Sequence, residues 1–128
     1  MIAADTSTWI AFLQGKPGED TDLLDLALKD RHVLMVPPVL TELLSDPKLS
    51  PDVAETLAEL PLVKIRPGYW RRAGALRAKV LAKLRKARLG DALIAQSCLD
   101  HGIPLLTRDA DFRAFVEAAS LNLLIGWP

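Results

Sequence analysis

Five short apolar runs, separated by segments of helical periodicity, leave this chain few architectures to choose from. They cover residues 2–5, 32–36, 62–65, 104–107 and 121–125. Strands alternating with helices pair in parallel, with crossover helices on both faces of the sheet. The expected fold is α/β, a three-layer α/β/α sandwich around a central, mostly parallel sheet of about five strands. At 128 residues, half of them apolar, the chain suits a single domain spanning 1–128. It shows no repeat, linker or low-complexity stretch.

The intervening segments carry their own boundary signals. Ser7 or Thr8 is positioned to cap a first helix ending at Gly15, and a second helix is expected over 22–30. Pro38 suits the first turn of a third. Ser50-Pro51 starts a fourth through Leu60. The spacing predicts a long helix over 69–87, which Gly74 weakens. Ala73, Leu76, Val80, Leu84 and Ala87 form its apolar stripe, and Arg72, Lys79, Lys83 and Lys86 a basic one beside it. Further helices are expected over 91–101, closed by Gly102, and over 111–119.

Net charge is zero, with 16 basic and 16 acidic residues, but the signs are segregated. Residues 1–63 hold 4 basic and 11 acidic side chains, residues 64–88 hold 10 basic and none acidic, and the remainder 2 and 5. Such asymmetry marks an interaction surface or, more simply, a solvated helix face. A single cysteine, Cys98, excludes an internal disulfide and a cysteine-cluster metal site. No apolar run approaches the roughly 18 residues needed to span a bilayer. The first residues carry no basic region ahead of their apolar stretch, which argues against a secretory signal. A cytoplasmic protein without membrane attachment is expected.

Ligands of open parallel sheets bind beyond the carboxyl ends of the strands. Asp5 and Asp109 lie at or just past such ends, Glu42 is about one turn into the third helix, and Asp91 opens the helix after the basic segment. Four acids distant in sequence therefore have a route to one sheet edge. Gathered carboxylates resist ionising together unless a cation joins them. Mg²⁺ and Mn²⁺ suit such oxygen donors, polarise phosphoryl oxygens and activate water. Beside a basic segment, that chemistry points to phosphodiester hydrolysis. The plainer alternatives are helix capping by Asp5 and Asp109, a helix-dipole role for Asp91 and an ordinary exposed Glu42.

The stretches around these acids resemble the motifs of PIN-domain ribonucleases. Ile2-Ala3-Ala4-Asp5-Thr6-Ser7 resembles their opening, and Pro38-Val39-Leu40-Thr41-Glu42-Leu43 their second motif. Gly90-Asp91-Ala92-Leu93-Ile94-Ala95 and Gly102 through Phe112 resemble the third and fourth. The likeness covers essentially the whole chain, and in compactness it is similar to VapC-type toxins of toxin–antitoxin pairs. It implies a PIN-like fold and a Mg²⁺- or Mn²⁺-dependent endoribonuclease with Asp5, Glu42, Asp91 and Asp109 as catalytic metal ligands. Ser7 and Thr107 match positions where the family often has a hydroxyl near the metal. Asp111 is an additional acid. At 100° per residue it would point about 200° from Asp109 in a helix starting near Ala110, away from the same ion. The resemblance also implies a cognate antitoxin and a homodimer. The basic residues Arg72, Lys79, Lys83 and Lys86 are the expected RNA contacts.

Other features read more simply. Trp9, Trp70 and Trp127 are expected to pack, with base stacking by Trp70 a lesser alternative. His32 and His101 form no metal-ligand pair, and Cys98 fits the core. Neither a phosphate-binding GxxxxGK[ST] loop nor a GxSxG elbow occurs. A receiver-like phosphoacceptor would need an Asp ending the third strand and a late Lys. Here that strand ends at Ile65-Arg66, and no Lys follows Lys86. The remaining rival is a catalytically silent RNA- or protein-binding module using the basic helix, 69–88.

Overall fold

The structure is a computed structural model and describes residues 1–124. Among the described residues seven helices form: α1 (Thr6–Leu13), α2 (Glu19–Lys29), α3 (Pro37–Leu44), α4 (Pro51–Glu59), α5 (Tyr69–Ala82), α6 (Leu89–His101) and α7 (Arg113–Ala119). A 3-10 turn at Ala110–Phe112 leads into α7. Among the described residues, none of these helices is long and apolar enough to cross a membrane.

The sheet is parallel and very short. Strand β1 (Ala3–Ala4) pairs with β2 (Leu105–Leu106), and single parallel bridges add Val33 beside Ile2, Leu62 beside Met35, and Leu123 beside Leu105. All five apolar runs thus lie side by side, the third outermost, then the second, first, fourth and fifth. Ile125 of the fifth run lies outside the described residues, as does Trp127. Proline explains part of the shortness, because it accepts but cannot donate in a ladder. Pro61 accepts from Met35 N at 2.8 Å and Pro104 from Ala3 N at 3.1 Å, while Pro37 turns the second run into α3. Side chains alternate faces along a strand. Ala3, Ala4, Leu105 and Leu106 are all at most 1% exposed, so both faces of the sheet are covered.

Helices α5, α6 and α7 pack on one another, α1 packs on α2 and α3, and α3 also meets α4 and α6. Trp9, Leu24, Met35, Ile94, Phe112 and Phe115 fill the core. Ser50 caps α4 through Val53 N, and Gly102 closes α6 in the left-handed region at φ +61°, both as expected. The cap of α1 is Asp5, whose side chain accepts from Thr8 N, in place of the expected Ser7 or Thr8.

Two expectations for the basic segment fail. Gly74 does not interrupt α5, but the helix stops at Ala82, five residues short of the expected end. Leu84 adopts a left-handed φ of +57° and is 94% exposed, so it leaves the apolar stripe altogether. Trp70 is 64% exposed, edge-on to Tyr69, and does not pack in the core as Trp9 does.

Candidate active site

Asp5 directly follows β1, and its backbone N–H donates to Leu106 O at 2.9 Å, which carries the ladder one residue past the paired strands. Its carboxylate is buried. Oδ1 accepts from Ser7 Oγ at 2.7 Å and Thr8 N at 3.1 Å, and Oδ2 from Thr107 Oγ1 at 2.7 Å. Burial nevertheless raises the Asp5 pKa above the ordinary carboxylate value, against these three hydrogen bonds and with the help of the Asp109 charge. Ser7 and Thr107 each serve twice. Ser7 Oγ accepts from Arg108 N at 3.1 Å, and Thr107 Oγ1 from Asp109 N at 2.9 Å. The two hydroxyls therefore tie the segment after β2 to the end of β1.

Asp109 caps the 3-10 turn, Oδ1 accepting from Asp111 N at 2.9 Å. Capping and clustering thus coexist, because Asp5 and Asp109 each cap a helix start and still face other acids. Asp91 lies in the first turn of α6. Burial, with repulsion from Asp109, Asp5 and Glu42, pushes its pKa up to about 6, against a smaller opposing effect of Arg88. Its Oδ2 is buried without a hydrogen-bond partner among the described residues. Glu42 is exposed on α3 and accepts from Thr6 Oγ1 at 3.1 Å. A methyl group on Gly90, one residue before Asp91, would sit 3.6 Å from Glu42 Oε1.

Asp91, Asp109 and Asp111 each place a carboxylate oxygen within 4.8 Å of the others, the one such trio of potential ligands among the described residues. The geometric argument against Asp111 therefore fails. Asp109 precedes the helix with an extended backbone (φ −94°, ψ 115°), and a 3-10 turn follows, so the 100° step does not apply between them. Asp5 and Glu42 border this trio and act on Asp91 through their charge.

The basic stripe is divided. Arg72 binds Asp100 through Nε at 3.0 Å and Pro67 O through Nη1 at 2.8 Å, and Lys79 Nζ donates to Ala118 O at 3.2 Å. Lys83 is exposed, and its side chain makes no hydrogen bond to a described residue. Lys86 lies beyond the helix, with Nζ 3.4 Å from Asp111 Oδ2. The helical spacing that would align these four side chains ends at Ala82.

A second polar group braces the site and escaped the sequence reading. Arg108 grips both oxygens of Asp20 at 2.6 and 2.9 Å, and Thr8 Oγ1 donates to the same carboxylate at 3.0 Å. The one sequence cue was an arginine set between Thr107 and Asp109. His101 Nε2 lies 2.6 Å from Lys64 O, a structural contact. Burial pushes the Cys98 thiol up to about 12, an unreactive core group.

A divalent cation fits the donors present. Three carboxylates converge, one of their oxygens is buried and orphaned, and hard oxygen-seeking cations take this donor set. The PIN domain family matches residues 2–118. The chain belongs to the PIN-domain family. This PIN domain also has structural neighbours along nearly its whole length. A chain of the VapBC-5 toxin–antitoxin complex of Mycobacterium tuberculosis superposes with a TM-score of 0.69 at 22% identity, covering 98% of each chain. One of VapBC2 from Rickettsia felis, bound to a promoter DNA fragment, gives 0.72 at 20% identity and covers 100% of both chains. FitAcB from Neisseria gonorrhoeae gives 0.70 at 20% identity, over 98% of this chain and 97% of that one. No curated protein matches it in sequence.

Proposed function

We propose that this PIN domain is a Mg²⁺- or Mn²⁺-dependent endoribonuclease and the toxin of a type II toxin–antitoxin pair. The observation that carries the reading is Asp91, whose carboxylate lies in the trio with Asp109 and Asp111 and has one oxygen, Oδ2, buried without a hydrogen-bond partner among the described residues. Asp91, Asp109, Asp5 and Glu42 are the proposed ligands, and Asp111 joins them. A cation held there supplies Lewis-acid activation of water and phosphate. Asp5 is kept in one orientation by three donors. Ser7 and Thr107 couple that orientation to the position of Asp109. Lys83 and the neighbouring bases hold the RNA backbone by charge.

RNA cleavage should stop in a chelator and return with excess Mg²⁺ or Mn²⁺. Cleavage undiminished by chelation, in protein free of contaminating nuclease, would refute the metal mechanism. RNA binding without cleavage would favour the silent binding module.

The antitoxin is proposed to bind an apolar groove of about 270 Å³ lined by Trp9, Phe12, Leu28, Val53, Leu57 and Leu60. The structural neighbours come from complexes with antitoxins, which supports the partner class. Expression without the partner should arrest growth in the cytoplasm, and Asp5→Asn should relieve the arrest at equal protein level. A homodimer completes the reading. Sedimentation of the purified chain tests it, with Trp70→Glu as the variant that disrupts an exposed apolar contact.

A further inference from the structure

Lys86 differs from the other basic residues of the 64–88 segment in what it touches. Its Nζ lies 3.4 Å from Asp111 Oδ2, and Asp111 belongs to the carboxylate trio. Its side chain is 57% exposed, so the ammonium stands at the rim of the cluster, open to a ligand arriving from solvent. The backbone there is fixed on the following side. Ala87 is 5% exposed, and its carbonyl accepts from Arg77 Nε at 2.8 Å. On the preceding side, the left-handed Leu84 turns the chain out of α5. A lysine held in this way beside a cation site is placed differently from Lys83, whose side chain makes no hydrogen bond or ion pair to a described residue.

We infer that Lys86 is a catalytic residue that binds the non-bridging oxygen of the phosphodiester being cut, with Asp111 positioning its ammonium. The inference rests on the phosphodiester-hydrolase reading. In the step concerned, a water oxygen bonds to phosphorus and the bond from phosphorus to one ribose oxygen breaks. The attacking water gives up a proton to solvent, and the departing oxygen takes one from solvent. Lys86 keeps its three protons throughout and neutralises the extra charge that gathers on the non-bridging oxygens. A fixed cation aimed at charge that develops in the transition state accelerates reaction more than it tightens substrate binding. An exposed ion pair with no ligand to serve would contribute little to anything.

Two measurements on the full chain test this. In RNA cleavage, Lys86→Gln should lower kcat on the order of 100-fold while KM moves a few-fold at most, and Lys86→Arg should restore part of the rate. Lys83→Gln should act mainly on KM. In calorimetry without RNA, Mn²⁺-loaded protein should bind inorganic phosphate, and Lys86→Gln should weaken that binding about tenfold while leaving Mn²⁺ affinity within a few-fold. Equal losses in kcat and in RNA affinity, or unchanged kcat and phosphate binding, would overturn the inference. A wild-type chain that cleaves no RNA yet binds phosphate through Lys86 would instead remove the ribonuclease reading and keep the anion site.

Discussion

Thr107 donates its hydroxyl to Asp5 Oδ2 at 2.7 Å, joining residues 102 apart in sequence and one strand apart in the sheet. Thr107 Oγ1 also accepts from Asp109 N, at 2.9 Å. One hydroxyl therefore sets the spacing between two carboxylates that repel each other. Thr107→Val should keep the fold but cut cleavage at least tenfold, and it should weaken Mn²⁺ binding in calorimetry. Thr107→Ser should retain most of both.

The raised pKa of Asp91, about 6, has a signed consequence for stability. Between the ordinary carboxylate value and about 6, the folded protein holds a proton that the unfolded chain has released. Stability of the metal-free protein should therefore fall as pH rises through this window. Asp20, where hydrogen bonds led by Arg108 outweigh burial, and Asp100, lowered chiefly by its Arg72 hydrogen bond, act in the opposite sense and only below the ordinary value. Thermal melts in chelator should give a higher Tm at pH 5 than at pH 7. Asp91→Asn should shrink that difference, with buried Asp5, whose pKa is also raised, contributing in the same sense, and saturating Mn²⁺ should raise the wild-type Tm at pH 7.

Arg108→Met should destabilise the chain by about 2–3 kcal/mol, because it strips a largely buried Asp20 of charge-assisted hydrogen bonds. Arg108→Lys should recover only part, since an ammonium cannot span both oxygens. Urea titrations of the three proteins give the ranking. A loss under 0.5 kcal/mol, as for a typical surface substitution, would mean that the pair does not brace the site.

Leu84→Gly should stabilise the protein by about 0.5–1 kcal/mol, the left-handed penalty less the flexibility that glycine adds. Little packing is lost, because the leucine is 94% exposed. A rise in Tm of about 2–4 °C is the expected readout.

Arg72 and Lys83 should separate cleanly. Arg72→Gln should cost folding stability, through Asp100, with little change in the salt dependence of RNA binding. Lys83→Gln should change the slope of log affinity against log salt by about 0.7 and leave stability alone.

The order of strands and helices was legible because apolar runs and caps are local signals. Ser50, Gly102 and the proline-led α3 marked their boundaries directly. Asp5 and Asp109 were legible as acids at or just past strand ends, Asp91 as a first-turn acid and Glu42 as an acid about one turn into its helix, and their neighbourhood in space follows from the parallel topology. Asp111 was misread because its direction depends on whether one residue lies inside a helix or just before it. The end of α5 was missed because Leu84 and Ala87 continue the apolar spacing, while the backbone turns at Leu84. Arg108 and Asp20 meet across 88 residues, and no local pattern announces such a pair.

A sheet whose paired strands are two residues long leaves no distance between its hydrogen-bonded centre and its functional edge. The Asp5 amide donates to Leu106 O immediately beyond the last pair, while its carboxylate faces the acidic cluster. That amide cannot be released without opening the fully buried heart of the fold. Its hydrogen exchange should therefore be among the slowest in the chain and should track global unfolding, not local fraying. In most proteins the working parts are drawn from the loosest regions. Here the first of the proposed ligands should be as hard to open as the molecule itself.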